Sequence, residues 1–221
     1  MNAIEVKNIC KFFGDVKALN DINFEVKRGE WASIMGPSGS GKSTLVNILS
    51  LMDTPTSGSY LVGGEDASCL DDEQTLKFRR EKIGLIFQQF HLVPYLNALE
   101  NVMISQYYHS AVDEEQAKKA LEAVGLSHRL DHLPSQLSGG EQQRLCIARS
   151  LINDPEILIA DEPTGNLDEA NEKIILDLFC KLRGEGKTIL LVTHNPELGE
   201  YGDKIVYLRH GRLENIRQIS K

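Results

Sequence analysis

The sequence predicts an α/β fold with a mostly parallel sheet covered by helices. The first indication is the order of patterns, because short apolar strands alternate with amphipathic helices from about residue 139 onwards. The second is a glycine-rich loop that stands directly between an apolar strand, Trp31–Met35, and a helix. The third is the placing of polar side chains just after the apolar strands at 157–160 and 188–193. Such sheets bind ligands at the carboxyl ends of their strands, so a binding site is predicted there.

Composition and charge argue against several classes of protein. The chain has 221 residues and a formal net charge of −8, a size that fits one domain with an inserted subdomain. Its apolar runs are far shorter than the roughly 20 residues of a membrane span, and we recognise no secretory signal. The acidic balance argues against a nucleic-acid partner held by bulk charge. The four cysteines form no CxxC pair, so we expect reduced, mostly buried thiols in a cytoplasmic protein.

The individual elements follow from periodicity and from turn residues. Strands are predicted over 4–7, 19–26, 31–35, 59–62 and 83–87, with a helix over 44–52. From about residue 90 to 136 the pattern is helical. The chain then alternates a helix over 139–151, a strand over 157–160, a helix over 168–183 and a strand over 188–193, and it ends in a hairpin that turns at His210 and Gly211. A helical insertion is therefore expected between two halves of a parallel sheet.

The glycine-rich loop predicts a nucleoside triphosphate site. It satisfies the pattern G-x-x-x-x-G-K-[ST] between a strand and a helix, a pattern shared by kinases, GTPases and motors. Its glycines let backbone N–H groups point at phosphate oxygens, and the helix adds its positive end. Lys42 is expected on the β- and γ-phosphates and Ser43 on Mg²⁺. The predicted nucleotide-binding residues are Gly36, Pro37, Ser38, Gly39, Ser40, Gly41, Lys42, Ser43 and Thr44.

Two carboxylates and a histidine follow the strands of the second half. Asp161 and Glu162 end an apolar strand, where a buried carboxylate needs a cationic partner such as the Mg²⁺ held by Ser43. Glu162 is the candidate general base for an attacking water. The alternative is an acidic turn that caps the next helix. His194 ends the neighbouring strand, where a lone histidine is more often structural, although its place at the strand ends favours a role in the site.

A second glycine-rich segment, Ser138, Gly139, Gly140 and Glu141, precedes another helix. Ser138 is a suitable helix cap, and the glycines expose backbone N–H groups at a positive helix end. One nucleotide does not need two glycine-rich phosphate-binding segments. We therefore expect two chains to meet, each presenting this segment to the nucleotide held by the other. The alternative is an ordinary serine-capped helix.

Together these residues resemble the nucleotide-binding subunits of ATP-binding-cassette (ABC) proteins, over about residues 4–214. GPSGSGKST is similar to the Walker A loop, ILIADE to the Walker B strand and LSGGEQQR to the family signature. Gln88 resembles the Q-loop glutamine, Asp168 the D-loop aspartate and His194 the switch histidine. Phe13 resembles the aromatic residue that stacks on adenine, although tyrosine is usual there and Phe12 competes for the role. Glu141 stands where glutamine is usual in the signature.

The resemblance implies a P-loop NTPase of the ABC ATPase fold, with an N-terminal antiparallel β-subdomain and an inserted α-helical subdomain. Residues 1–221 form one nucleotide-binding domain in this interpretation, with the helical subdomain at 89–136 leading into the signature at 137–144. The implied cofactors are ATP and Mg²⁺. The implied roles are catalysis for Glu162, His194 and Gln88, metal binding for Ser43, Gln88 and Asp161, and nucleotide binding for Phe13, Ser138, Gly139, Gly140, Glu141 and Asp168.

Three longer segments, FQQFHLVPYLNALENV, PSQLSGGEQQR and ADEPTGNLD, resemble ATPases of the lipoprotein-release, macrolide-exporter and cell-division type. This resemblance implies a homodimer at the cytoplasmic face of the inner membrane, beneath a permease with a large extracytoplasmic domain, and no nucleic-acid partner. In that family the Gln88 region and residues 89–136 receive a cytoplasmic coupling helix of the permease. The alternatives are a regulator of cell-wall hydrolysis of the cell-division kind, a soluble ABC ATPase of DNA repair or chromosome organisation, and a small-molecule kinase.

Overall fold

The computed structural model describes residues 1–107 and 111–219 and has the predicted α/β architecture. The strands are β1 (Asn2–Phe13), β2 (Val16–Lys27), β3 (Trp31–Met35), β4 (Ser57–Val62), β5 (Glu65–Asp66), β6 (Ile83–Ile86), β7 (Ile157–Asp161), β8 (Thr188–Val192), β9 (Lys204–Arg209) and β10 (Arg212–Gln218). The helices are α1 (Lys42–Leu49), α2 (Asp72–Lys82), α3 (Ala98–Tyr107), α4 (Glu114–Ala123), α5 (Gly139–Leu151), α6 (Glu169–Gly184) and α7 (Pro196–Gly199). A 3₁₀ turn at Pro134–Gln136 precedes α5.

The central sheet has six strands in the order β10-β9-β3-β8-β7-β6. Strands β9, β3, β8, β7 and β6 are parallel, and β10 pairs antiparallel with β9. In β7, Ile157 and Ile159 pack on one face of the sheet, while Leu158 and Ala160 pack on the other. A strand that is apolar on both sides must be covered on both faces. Helix α1 and the N-terminal strands cover one face, and α3, α4, α5 and α6 contribute to the core on the other.

The N-terminal strands form a second, antiparallel sheet, as the resemblance implied. Its order is β2-β1-β4-β5, and each neighbouring pair is antiparallel. Alternate side chains of β1 and β2, including Ile4, Val6, Ile22 and Val26, are buried in the core that this sheet shares with α1. The alternation of buried and exposed positions is what a sheet with one covered face requires.

The insertion is less helical than predicted. Residues 89–97 contain no helix, so the predicted helical start near residue 90 was wrong. The buried Asn101 side chain explains this, because its Oδ1 accepts from Val93 N at 2.8 Å and its Nδ2 donates to Leu96 O at 2.8 Å. These bonds fold the segment before α3 into a loop. Residues 108–110 of the predicted helical region lie outside the described residues.

The carboxyl ends of four parallel strands meet at one edge of the central sheet. Strand β3 runs into the glycine-rich loop at 36–41, β6 into Gln88, β7 into Glu162 and β8 into His194. The predicted meeting of the loop, the acidic pair and His194 at one sheet edge is therefore seen in the fold, and Gln88 joins them. Within the two described ranges, no helix is long and apolar enough to cross a membrane.

The cysteines differ from expectation. All four are free, but only Cys146 is buried, Cys10 is partly buried, and Cys69 and Cys180 are exposed. The prediction that most of them are buried was wrong, because the lack of a CxxC pair says nothing about which face of an element a cysteine occupies.

Candidate functional site

An open cleft of about 680 Å³ lies at this sheet edge. Nine of the predicted site residues line it, namely Gly36, Pro37, Ser38, Lys42, Ser43, Gln88, Asp161, Glu162 and His194. Met35 and Tyr207 complete the lining. The cleft thus joins a phosphate-binding loop, an ammonium group and two carboxylates, which is the chemistry that binding and hydrolysis of a nucleoside triphosphate require.

The glycine-rich loop curls tightly between β3 and α1. Gly36 has φ 155°, and a Cβ there would lie 2.2 Å from the carbonyl oxygen of Leu208, so only glycine fits. The Lys42 ammonium donates to the carbonyl oxygens of Gly36 at 2.7 Å and Pro37 at 3.0 Å. Lys42 is thereby held over the loop, and the N-terminus of α1 begins at the same residue. Both features favour anion binding.

Asp161, Glu162 and His194 form the polar end of β7 and β8. Burial raises the pKa of the Asp161 carboxyl above its ordinary value, the charge of Glu162 adds to this, and Lys42 opposes it. Glu162 has a left-handed φ of 47°, which is uncommon outside glycine and marks local strain at this residue. Its Oε1 lies 2.7 Å from His194 Nδ1, and its Oε2 accepts from Thr193 Oγ1 at 3.4 Å.

Gln88 reaches the same cleft from the loop after β6. Its backbone carbonyl accepts from Asn166 Nδ2 at 3.2 Å. A Cβ on Gly165 would lie 3.0 Å from Gln88 Nε2, so the glycine leaves room for the glutamine side chain. The three residues predicted to bind metal, Ser43, Gln88 and Asp161, therefore share one cleft and offer a hydroxyl, an amide and a carboxylate oxygen.

A second cleft of about 510 Å³ opens beside the other end of the loop. Ser38, Gly39, Gly41, Lys42, Ser43 and Thr44 line it together with Val16, Lys17, Ala18, His210 and Gly211. The start of β2 and the hairpin turn were not predicted to lie beside the loop. The turn is fixed to the loop, because Gly211 N donates to Ser40 O at 3.0 Å. The sequence offered no signal for this, because the pairing of β9 with β3 is visible only in the fold.

Some predicted nucleotide contacts lie outside both clefts in the described chain. Ser40, within the glycine-rich loop, is buried. Phe12 and Phe13 are both exposed, and each ring has a lysine ammonium over it, that of Lys17 at 5.8 Å for Phe12 and that of Lys11 at 5.1 Å for Phe13. The geometry does not favour either ring as the adenine partner.

The signature residues form a complete helix cap at the start of α5. Ser138 Oγ accepts from Glu141 N at 3.3 Å, and Glu141 Oε2 accepts from Ser138 N at 2.8 Å. Glu141 Oε1 also accepts from Arg129 Nε at 2.8 Å, and Arg129 in turn lies 3.1 Å from a ring nitrogen of His132. The bond from the Ser138 backbone, together with Arg129, lowers the pKa of Glu141 to about 2. Its carboxylate is thus engaged within the chain and its charge is balanced by Arg129.

Asp168 caps α6 rather than facing either cleft. Its Oδ1 accepts from Asn171 N at 2.8 Å and from Asn171 Nδ2 at 2.9 Å, and these bonds lower the pKa of Asp168. Asn171 also touches the signature, because a Cβ on Gly140 would lie 1.9 Å from Asn171 Oδ1. Gly140 therefore allows the close approach of α5 and α6.

Fold and site together define a class of protein. A lysine and a serine on a glycine-rich loop after one parallel strand, with an acidic pair after another, are typical of P-loop NTPases. The family model described as ABC transporter matches residues 19–165, and the chain belongs to this family.

Similar proteins agree with this assignment. An uncharacterized ABC transporter ATP-binding protein of Thermotoga maritima is 48% identical, with 97% of this chain and 95% of that protein covered. The macrolide export ATP-binding/permease protein MacB of Bdellovibrio bacteriovorus is 44% identical over 98% of this chain, which spans only 34% of MacB. The structure of the MJ0796 cassette of Methanocaldococcus jannaschii, a dimer in a post-hydrolysis state bound to ADP and Pi, matches with a TM-score of 0.90 at 40% identity, with 99% of each chain covered.

The comparisons confirm the predicted fold and family. The chain is an ATP-binding subunit of an ABC transporter, with ATPase activity. The kinase, the soluble ATPase and the cell-division regulator are not favoured by any of these matches.

Proposed function

We propose that two copies of this chain close on two ATP molecules and that hydrolysis drives a membrane permease. One observation carries the proposal. Ser138 and Gly139 are exposed at the start of α5, yet neither is among the described residues that line the two clefts around Lys42. A two-fold related copy can bring these backbone N–H groups to the nucleotide held by its partner. The dimeric MJ0796 cassette with ADP and Pi supports this arrangement.

Each of three cleft residues has its own role in the hydrolysis reaction. When the nucleotide binds, the Lys42 ammonium gives up its hydrogen bonds to the loop carbonyls and donates to phosphate oxygens instead. There it stabilises the negative charge that develops during the reaction. The Glu162 carboxylate accepts a proton from water as the water oxygen attacks the γ-phosphorus. The bond from the γ-phosphorus to the bridging oxygen breaks, and ADP and phosphate leave. His194 orients the carboxylate through the 2.7 Å contact with its Oε1.

The donors at the metal position suit magnesium. Ser43, Gln88 and Asp161 present oxygen atoms to one cleft, and Mg²⁺ prefers oxygen ligands. No group of three or more His, Cys, Asp or Glu side chains that could hold a metal ion by themselves occurs within the described ranges. Mg²⁺ usually keeps several waters and binds through one or two carboxylates and substrate phosphates. Bound Mg²⁺ would neutralise charge on the phosphate oxygens.

A groove next to Gln88 supports a permease contact on this side of the chain. Its volume is about 420 Å³, and it lies between α2, β6, α3 and α5. Leu76, Ile83, Leu85 and Phe87 supply its apolar surface, and its charged lining residues, Arg79, Arg80 and Arg149, are all basic. An apolar helix with an acidic residue is the complementary partner. We therefore place the coupling helix of the permease here.

The relatives support a proposal about the branch and the location. The chain covers about a third of MacB, a protein whose name includes a permease. We infer that the present chain works beneath a permease of this kind, with a large extracytoplasmic domain, at the cytoplasmic face of the inner membrane. Lipoprotein release and macrolide export are the two modes that the motifs favour.

The test is a pull-down of tagged Glu162→Gln protein from its own cells, in mild detergent with ATP. Co-purification of a permease with a large extracytoplasmic domain supports the proposal. The matched control is Lys42→Ala, which should not form the ATP-bound dimer and should recover less permease. An ATP-bound dimer that brings down no membrane protein above background would contradict the assignment to a permease.

A further inference from the structure

Phe90 and His91, which follow Gln88 and Gln89, are held to helix α5 by hydrogen bonds from its side chains to their backbone carbonyls. Arg149 donates from one guanidinium nitrogen to His91 O at 2.7 Å and from the other to Phe90 O at 2.9 Å. The Cys146 thiol, one turn earlier on α5, donates to the same Phe90 carbonyl at 3.0 Å. Three side-chain bonds therefore hold two consecutive carbonyl groups of a segment that forms neither helix nor strand.

The chemistry of both donors suits a lasting attachment. A guanidinium is planar and always charged, and it can bridge two acceptors with fixed geometry, which an ammonium cannot do equally well. Burial raises the pKa of the Cys146 thiol to about 11, so the thiol keeps its proton and remains a donor. The backbone of the segment is bent at His91, which has a left-handed φ of 46°. The His91 ring also packs edge-on against the Phe87 ring, with 5.5 Å between the ring centroids.

Gln88 is held from the opposite side by the segment after Glu162. Asn166 Nδ2 donates to Gln88 O at 3.2 Å, and Gly165 lies against the Gln88 amide. The backbone of Gln88 is thus fixed at its own carbonyl and again two residues later. The Gln88 side chain itself is exposed to the cleft, so its direction depends on this backbone.

We propose that Arg149 is a positioning residue for Gln88. Its guanidinium fixes the carbonyls of Phe90 and His91, and this sets the direction in which the Gln88 amide enters the nucleotide cleft. Arg149 itself lines neither of the two clefts around Lys42. The inference rests on the proposed function, because it requires Gln88 to act on the metal and on the attacking water.

A double-mutant cycle separates this role from general support of the fold. The variants are Arg149→Met, Gln88→Ala and the pair together, with Arg217→Met as the matched control, since Arg217 is an exposed arginine bonded to Glu200 on another part of the chain. The measurements on the purified protein are kcat and KM for ATP, and the melting temperature.

We expect Arg149→Met to lower kcat about tenfold, because a misplacement of about 1 Å in the site can cost up to about 10²-fold. KM for ATP should stay unchanged within a factor of about two. In the Gln88→Ala background the same substitution should change kcat less than about twofold, because the group it positions is gone. Arg149→Lys should lie between wild type and Arg149→Met. It also serves as the second variant if Arg149→Met does not fold.

Two results would overturn the inference and leave the proposed function intact. If the two substitutions lower kcat independently, so that their effects multiply in the double variant, Arg149 supports the fold in general and does not position Gln88. Normal kcat in Arg149→Met would show that the attachment has no role in the reaction. Wild-type turnover by Gln88→Ala alone is a different result, since it would remove the proposed role of Gln88 first and the inference with it.

Discussion

His194 and Glu162 meet across two neighbouring strand ends, with 2.7 Å between Nδ1 of the imidazole and Oε1 of the carboxylate. The carboxylate only accepts hydrogen bonds, so Nδ1 is the donor. Thr193 donates to the other carboxylate oxygen at 3.4 Å. Glu162 is therefore oriented by the two residues that directly follow the neighbouring strand β8, in the way that a general base is commonly held by a third group.

The first prediction concerns the base. Glu162→Gln should lower ATP turnover about 10²–10⁴-fold, because the amide cannot accept a proton from water. ATP binding should persist, so an ATP-bound dimer should accumulate and elute earlier in gel filtration. The control is Glu65→Gln, the same change at an exposed position in β5. A Glu162→Gln protein that hydrolyses ATP at the normal rate would exclude Glu162 as the base.

The second prediction concerns the phosphate contact. Lys42→Ala removes the ammonium that lies over the loop, and we expect nucleotide affinity to fall about tenfold or more, as loss of a charge-assisted hydrogen bond does. Binding of a fluorescent ATP analogue measures the effect. Lys118→Ala is the control, since Lys118 is bonded to Glu114 and Glu115 on the surface of α4. Near-normal binding and turnover would argue against the assigned role of the loop.

The third prediction tests the site shared between two chains. Ser138→Arg places a long side chain on the exposed start of α5, so each chain should still bind nucleotide while closure of the dimer is blocked. We expect turnover to fall with unchanged ATP affinity. Ser127→Arg adds the same charge at another exposed serine and should be neutral. Hydrolysis at the wild-type rate in Ser138→Arg would refute the shared site.

The fourth prediction concerns pH. The pKa of Glu141 is lowered from 4.5 to about 2, so its bonds to Ser138 and Arg129 stabilise the fold fully above about pH 4.5. That contribution is lost as the pH falls towards 2. Glu141→Ala should therefore lower the melting temperature by about 2–4 °C near neutral pH, and the difference from wild type should shrink on acidification. A difference that is independent of pH between 2 and 5 would contradict the ion pair.

Much of the cleft was predictable because it consists of local motifs and a rule of topology. The loop at 36–44 is a contiguous pattern, and Asp161, Glu162 and His194 each follow an apolar strand. Since parallel strands end at the same sheet edge, their meeting follows from the pattern alone. The contact between His194 and Glu162 did not follow, because it depends on the left-handed backbone at Glu162.

Other features could not be predicted, since their causes are not periodic. Helix α2 buries no residue completely and therefore has no apolar stripe to detect. Its one local signal is the capping box between Asp71 and Gln74. The loop before α3 is organised by the buried side chain of Asn101, several residues further along the chain. The role of Arg129 beside the signature depends on the packing of the whole insertion.

The separation of Ser138 from the cleft that holds Lys42 has a genetic consequence. In the proposed dimer each ATP depends on the loop of one polypeptide and the signature of the other. Lys42→Ala and a signature lesion too small to obstruct closure, such as Ser138→Ala, are therefore complementary. A mixed pair carrying one lesion per polypeptide combines both defects at one nucleotide and leaves the other nucleotide with two intact halves. Co-expressing two inactive alleles should therefore restore part of the activity. A polypeptide that carries both lesions should instead inactivate both nucleotide sites of any dimer that it forms with a wild-type chain.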